Sequence, residues 1–495
     1  MSSSNASAAE SIPSSPVPKT LSSQTTEKGG THGLEFIFWL LQRSKLFLAL
    51  IPVAAATIVT AVAMLITGSD WNWLLFAISA VAAPLVGVGI PVAILVRASW
   101  REENTAADWT PYLRFTDAKE SQKWEGKKIP MTLLYEAYMA GRIEFIADVY
   151  ETMLHRNQLF RMSFTWHDIR FYIAEFLRQN TGHDIQADHG DIAHVYNRGN
   201  DFYNWFLGET MTYTSGLFES QDDSLEDAQR RKLEMVCKTV QMKEGDRHLD
   251  LGCGWGPLVC HAAKHHGTNS LGVTLAQEQA DWANERAKND GVSDRVEVLV
   301  DDYRNVPFEK FDKITCLEMA EHVGIKNFQK FLLQVRGMLK DDGIFYLQIA
   351  GLRRAWQFED LVWGLFMGKY IFPGADASCP LGFVTGQAER AGFEVHRVEN
   401  CGVHYSLTIK RWYDNWKGNK EAIIAKYGER WFRMWMIFLS WSTIIAAQGS
   451  STVFMITLTK NTPTDKSSVA IEEAKTVPFS RMDRWVGPDK VTTQQ

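Results

Sequence analysis

At 495 residues with 45% hydrophobic side chains, the chain can bury a large core and is excluded from the disordered class. Its 52 basic and 58 acidic side chains leave a formal charge of -6 with no basic run suited to wrapping phosphates, which argues against a nucleic-acid partner. Six cysteines (Cys237, Cys253, Cys260, Cys316, Cys379, Cys401) form no CxxC pair, and His261, His265 and His266 have no cysteine or carboxylate at zinc spacing, so reduced thiols and no metal are expected.

Residues 1–33 are rich in Ser, Thr, Ala and Pro without an apolar period and read as a disordered tail. No charged stretch near the start leads into a short apolar run, so a cleaved signal is not expected. Leu46–Ile66 and Trp71–Val96 carry no charge, and each is long enough at about 1.5 Å per residue to cross a bilayer core of about 30 Å. They predict a transmembrane hairpin over 34–99, with spans at about 46–66 and 72–96. Arg43 and Lys45 before it and Arg97 and Arg101 after it put both flanks in the cytosol, an arrangement that fits the endoplasmic reticulum. A buried or re-entrant hairpin bent at Pro52, Pro84 or Pro91 is the competing reading.

Residues 100–190 set Leu133, Leu134 and Tyr138, then Ile143, Ile146, Ala147 and Tyr150, at helical spacing and predict a helical connector or lid. From 191 to 460 apolar strand-like runs alternate with amphipathic stretches, the pattern of an open parallel sheet flanked by helices. Within it, Arg353–Pro373 places basic residues beside an aromatic and aliphatic run, which suits either a segment lying on a bilayer or a helical insert packed on the sheet. Residues 461–495 are a polar tail.

The strongest local signal is His248-Leu-Asp-Leu-Gly-Cys-Gly-Trp-Gly256 followed by a helix from Pro257, a buried strand that ends in a glycine turn where a ligand can approach the backbone. A bare GxGxG also serves dinucleotides, but Asp250, two residues before Gly252, can hold the ammonium of a zwitterionic cofactor. Leu251, Cys253, Gly254, Trp255 and Gly256 complete this candidate loop. The second strand ends in Thr274-Leu275-Ala276-Gln277-Glu278-Gln279, where a ribose-binding residue is expected although no acid stands directly on the strand end. The third ends in Asp301-Asp302-Tyr303-Arg304, a carboxylate and an aromatic ring suited to the edge and face of an adenine.

Together with His194-Val-Tyr-Asn-Arg-Gly-Asn-Asp-Phe-Tyr203, Met211-Thr-Tyr-Thr-Ser-Gly-Leu-Phe218 and Glu318-Met-Ala-Glu-His-Val-Gly324, these segments resemble the cyclopropane-fatty-acid synthase and mycolic-acid methyltransferase family, and more closely the fungal sphingolipid C9-methyltransferases. The resemblance implies a Rossmann-like class I methyltransferase domain over 191–460 that uses S-adenosylmethionine. It implies that Tyr213 and Thr214 cover the cofactor, Gly252 to Gly254 hold its methionine end, Thr274 and Gln279 bind its ribose, and Tyr303 and Arg304 flank its adenine. Glu321 matches the family's active-site glutamate and Tyr405 its tyrosine. Ring-forming relatives hold a small anion with a cysteine backbone, a histidine and the glutamate; this chain has Ser215 and Gln348 at the first two positions, and Ser442 where some relatives carry cysteine.

The implied reaction is methylation at C9 of an unsaturated sphingoid base in ceramide or glucosylceramide, by alkene attack on the sulfonium methyl followed by proton loss. Glu321 is the expected base with His322 as the weaker candidate, and Tyr405 and Tyr213 are the expected aromatic wall for the cation. Capping of a turn by Glu321, orientation of that glutamate by His322 and core packing of Tyr405 are the bland alternatives. A cyclopropane synthase acting on phospholipid acyl chains and a membrane-tethered cofactor- or lipid-binding protein without turnover are the rival functions.

Overall fold

The structure, a computed structural model, describes residues 107–165, 168–171, 198–355, 357–372 and 379–461. The expected tail 1–33, the hairpin 34–99 and the polar tail beyond Asn461 lie outside the described residues. Among those described, no helix is long and apolar enough to cross a membrane.

A seven-stranded sheet organises the fold: β1 Arg247–Leu251, β2 Asn269–Thr274, β3 Val296–Val300, β4 Phe311–Leu317, β5 Leu339–Leu352, β6 Phe393–Asn400 and β7 Ser451–Lys460, in the spatial order β6-β7-β5-β4-β1-β2-β3. β4, β5 and β7 are buried along most of their length, so their burial does not alternate as it would in a half-exposed strand. The open parallel sheet expected from the sequence holds except at one strand: β7 runs antiparallel to both β5 and β6. The chain reaches β7 from the long helix Glu429–Ala447 through the tight turn at Gly449, and it enters the gap between β5 and β6 from the end opposite to the other strands.

The strand order reverses between β1 and β4, so a crevice opens beyond their carboxyl ends, the place where ligands bind in open α/β sheets. Helix Pro257–His266 leaves the glycine turn with proline in its first turn and ends at the left-handed Gly267. Helix Leu225–Thr239 starts under Ser224, whose hydroxyl accepts from Asp227 N at 3.0 Å. These two helices meet through Glu234, whose Oε2 lies 3.0 Å from His261 Nε2 and 3.1 Å from His266 Nε2. The expectation that these histidines lack a carboxylate partner is thereby corrected, since the partner comes from a different helix. Buried Cys237 stands in the same cluster, its Sγ and the two histidine ring nitrogens all within 4.8 Å of one another, and burial pushes its thiol up.

A second layer is aromatic and helical. Within the 100–190 segment the described residues form the helices Met131–Met139 and Val149–Leu154, and also two short ladders, Leu113–Phe115 with Ile143–Phe145 and Ile129–Pro130 with Phe160–Arg161. They pack with Asn200–Leu207, Gly402–Gly418 and Glu429–Ala447 in one core. Phe202 lies 5.0 Å edge-on from both Trp416 and Trp435, and Phe206 lies 4.8 Å from Trp435. Helix Glu429–Ala447 is buried from Phe432 to Ala446 on every side because it runs through the middle of this layer. The described part of Arg353–Pro373 forms helix Phe358–Phe366 and a π turn whose Val362, Trp363, Phe366 and Ile371 are buried in the same core. It is an insert, packed on the aromatic layer rather than on the sheet.

Candidate active site

The loop after β1 is pinned by two bonds to one carbonyl: Gly252 N and Cys253 N both donate to Val273 O, at 3.0 and 2.9 Å. That carbonyl belongs to β2, so the glycine turn and the strand tip after it form one rigid wall. The cleft they border is lined by fourteen of the sequence-selected residues: Tyr213, Thr214, Asp250, Gly252, Cys253, Gly254, Trp255, Thr274, Leu275, Ala276, Gln279, Tyr303, Arg304 and His322. Trp255 is held by Asn200, whose Oδ1 accepts its indole N–H at 2.7 Å, and Tyr203 packs on it at 4.9 Å. The Gly-Asn-Asp-Phe-Tyr block therefore joins the aromatic layer to the glycine turn.

Asp250 sits at the centre of the sheet, paired in register with Gly272 and Thr315. Its Oδ1 accepts from Thr315 Oγ1 at 2.6 Å, and Thr315 in turn meets His248 Nε2 at 2.8 Å, with Ser270 Oγ 3.1 Å from His248 Nδ1. Burial pushes His248 down to about 3, so it stays neutral and serves as a relay that fixes the carboxylate. Burial raises Asp250 to about 6, against the pull of Thr315 and Lys232, and among the described residues no donor meets its second oxygen. A buried carboxylate left in this state suits a cationic ligand group such as an amino-acid ammonium.

At the strand tips, Thr274 Oγ1 donates to Gln279 Oε1 at 2.6 Å, which locks the two proposed ribose residues together. Arg304 is spent within the chain: its guanidinium takes both oxygens of Asp302, at 2.7 and 2.6 Å, and stands 5.4 Å over the Tyr303 ring. Asp302, a strand-end carboxylate expected at an adenine edge, thus lines the cleft with each oxygen bonded by Arg304.

Other selected residues stand off the cleft. Leu251 is a buried strand residue and Gly256 the left-handed cap of the next helix. Gln277 and Glu278 are exposed, Gln277 bonding Asp281 at 2.8 Å. Ser442 is buried in helix Glu429–Ala447, its Oγ accepting from Trp363 Nε1 at 3.1 Å. Tyr405 packs edge-on against Trp412 at 6.4 Å and outside the cleft lining, because helix Gly402–Gly418 presents it to the core. Glu321 is also outside: Oε1 accepts from Ala350 N at 2.6 Å and Oε2 is sealed with no partner among the described residues.

Burial first, and then the neighbouring charge of Glu318, pushes Glu321 up to about 8. A folded-state value above the unfolded one, about 4.3 for glutamate, means that stability is full below the unfolded value and is lost as pH rises toward the folded value. In ligand-free protein the melting temperature of the wild type is therefore expected to fall relative to Glu321→Gln between about pH 4.3 and pH 8. Parallel melting curves across that window would show that the carboxyl is already ionised at low pH.

Two residues that sequence reading passed over bring ionisable groups to the cleft. Lys232, buried in helix Leu225–Thr239, donates from Nζ to Thr214 Oγ1 at 2.8 Å. Glu318, at the end of β4, accepts at Oε1 from Ser215 N at 2.9 Å and from Gln348 Nε2 at 2.6 Å. Ser215 and Gln348 thus hold a carboxylate of the chain itself.

Comparison with known proteins agrees with this geometry. The family described as mycolic acid cyclopropane synthetase matches residues 183–456. The sphingolipid C9-methyltransferase of Komagataella phaffii is 44% identical, over 76% of this chain and 80% of that protein. Sphingolipid C9-methyltransferase A of Emericella nidulans is 48% identical over 71% of this chain and 69% of its own. Among solved structures, mycolic acid cyclopropane synthase CmaA1 complexed with SAH and CTAB superposes with a TM-score of 0.53 at 25% identity, covering 55% of this chain and 98% of that one. With its sheet order, its glycine turn and its buried acid, the chain is a class I S-adenosylmethionine-dependent methyltransferase. It belongs to the mycolic acid cyclopropane synthetase family, among the sphingolipid C9-methyltransferases.

Proposed function

We propose that the protein methylates C9 of an unsaturated sphingoid base carried in ceramide or glucosylceramide. The observation that carries this reading is the wall beside the glycine turn. Tyr213 lines the cleft with Trp412 at 5.2 Å and Phe372 at 6.1 Å from its ring, and Phe372 lies 6.4 Å from cleft-lining His322. Such a wall suits an apolar chain and stabilises a cation on it. The curated relatives named for sphingolipid C9-methylation support the choice of lipid.

S-adenosylmethionine supplies an electrophilic methyl on a sulfonium. Asp250 would hold its ammonium, Gly252 to Gly254 its methionine backbone, Thr274 and Gln279 its ribose, and Tyr303 its adenine face, with Tyr213 and Thr214 closing over it. Lys232 keeps Thr214 in place and sets a positive charge among the acids. The aromatic wall excludes water, so that a poor nucleophile such as an alkene is held dry and aligned. Residues 34–99 would anchor the chain in the endoplasmic reticulum membrane as a two-span hairpin with the catalytic domain in the cytosol; their charge-free runs support this.

Cells fed methyl-labelled methionine are the test, with lipids read by mass spectrometry. Cells with the chain are expected to carry label on a sphingoid base that keeps a double bond, and Gly254→Asp, which puts a carboxylate into the cleft lining, is expected to lose it. Label in a saturated three-membered ring on phospholipid acyl chains would replace the substrate reading with the cyclopropane one. Cofactor bound without any labelled lipid would mean a binding protein.

A further inference from the structure

Glu318 occupies a backbone conformation that costs the chain something. Its φ is +54°, in the left-handed region that side chains beyond Cβ rarely adopt, and its own N–H is tied to Gln348 O at 2.8 Å. Strain of this kind survives only where the surroundings impose it, and its effect here is to turn the side chain back over the cleft, which Glu318 lines. Two donors, the Ser215 backbone N–H and the Gln348 amide, grip Oε1. Among the described residues no donor meets Oε2, and the residue is half-buried and lines the cleft.

The other carboxylates near the cleft are engaged or remote. Both oxygens of Asp302 are taken by Arg304, and Asp301 Oδ1 accepts from Asp302 N and Asn305 Nδ2 at 2.7 and 2.8 Å beside Tyr303. Asp250 is bound to Thr315. Glu321 is sealed off behind Ala350 N. Asp250 and Asp301 also keep one oxygen without a donor among the described residues, but Asp250 is placed for the cofactor's ammonium and Asp301 lies beside Tyr303, whereas Glu318 is anchored by Ser215, two residues from Tyr213 of the aromatic wall.

We propose that Glu318 is the catalytic carboxylate that accepts the proton released after methyl addition, in place of Glu321. This rests on the methyl-transfer reading above. The alkene electron pair forms the new carbon–carbon bond to the methyl, and the sulfur keeps the electron pair of the bond that breaks, leaving a cation on the neighbouring carbon. Glu318 Oε2 then takes the proton from the carbon that received the methyl, and that C–H electron pair restores the double bond. The products are the methylated alkene, S-adenosylhomocysteine and one proton, which passes from the carboxyl to solvent. Burial raises the Glu318 carboxyl above its ordinary range while Ser215, Gln348 and Lys232 pull it back.

The test compares the full chain in membranes with its Glu318→Gln and Glu321→Gln variants, using whichever alkene lipid the wild type labels. Glu318→Gln is expected to form methylated alkene at least about 100-fold more slowly, with affinity for S-adenosylhomocysteine within about threefold of wild type by calorimetry and an unchanged melting curve. Glu321→Gln is expected to lose less than about tenfold. Glu318→Gln is also expected to bind hexadecyltrimethylammonium, a cation on an apolar chain, about tenfold less tightly than wild type, while an uncharged alkyl chain of equal length binds both alike. Residual Glu318→Gln product enriched in cyclopropane or double-bond-shifted lipid would support the assignment, because the cation would then be quenched elsewhere. Wild-type turnover in Glu318→Gln, or loss of cofactor binding as the whole of its defect, would overturn it. If the wild type labels a lipid other than a sphingoid base, the substrate reading fails while the comparison of the two variants still decides the proton acceptor.

Discussion

Gly252→Ala is expected to abolish measurable binding of S-adenosylhomocysteine, a loss of at least about 100-fold or ~2.8 kcal/mol. Gly252 has φ +81°, and a Cβ built on it falls 2.5 Å from both Cβ and Cγ of Met319. Rotation about χ1 can move Cγ, but Cβ is fixed to the backbone and moves only if the backbone after Glu318 moves with it. Nor can the loop retreat, because Gly252 N and Cys253 N are both bonded to Val273 O. The substitution therefore combines a left-handed strain of about 1–2 kcal/mol with a steric conflict at the turn that faces the cofactor. Gly324→Ala is the control: φ is +73° there as well, but nothing lies within 4 Å of the added Cβ. It is expected to lose about 1–2 kcal/mol of stability and keep its affinity. Equal binding losses in the two variants, measured by calorimetry, would show that backbone strain alone explains the effect and that Met319 gives way.

The contrast between Gly252 and Glu318 explains what the sequence discloses. The glycine turn and the two strand tips after it are local: a run of apolar residues, a turn and a helix start are written in consecutive letters, and eleven of the fourteen cleft residues were chosen this way, Tyr213, Thr214 and His322 coming with the resemblance. Glu318 and Lys232 reach the same cleft from β4 and from helix Leu225–Thr239, and only the packed sheet brings them together. One signal was available. On that helix Leu225, Ala228, Gln229, Lys232, Leu233 and Val236 form the buried stripe, and a lysine and a glutamine at stripe positions have to answer to something polar inside. Tyr405, Ser442 and Glu321 stand off the cleft lining for a reason of the opposite kind. Their positions follow the family pattern, yet the helix and turn that carry them aim Ser442 at Trp363, Glu321 at Ala350 N and Tyr405 at Trp412. The reversed β7 was illegible because an apolar strand reads the same in either direction.

The second large effect is expected in the aromatic layer. Glu359→Ala is expected to cost about 3–5 kcal/mol of folding stability, read by chemical denaturation. Glu359 and Arg156 are each 6% exposed, and Glu359 Oε1 accepts from Arg156 Nε and from Trp441 Nε1, the latter at 3.0 Å. Its Oε2 accepts from Arg156 Nη2 and Gln448 Nε2, both at 3.2 Å, and Gln448 Oε1 closes the ring on Arg156 at 2.7 Å. Removing the carboxylate strands a guanidinium and an indole N–H in a closed core, whereas losing an exposed pair such as Arg142 with Glu120 costs at most about 1 kcal/mol. The double variant Arg156→Met with Glu359→Leu removes both charges and is expected to recover most of the loss, since desolvating the pair offsets much of its attraction. Failure of the double variant to recover would mean that the hydrogen bonds to Trp441 and Gln448, rather than the stranded charge, carry the cost. Either outcome bears on the site, because this joint ties the connector, the insert and the long helix at one point. The insert that Glu359 anchors ends in Phe372, against Tyr213 of the wall, so a loosened joint is expected to weaken the binding of an apolar chain before it touches the cofactor.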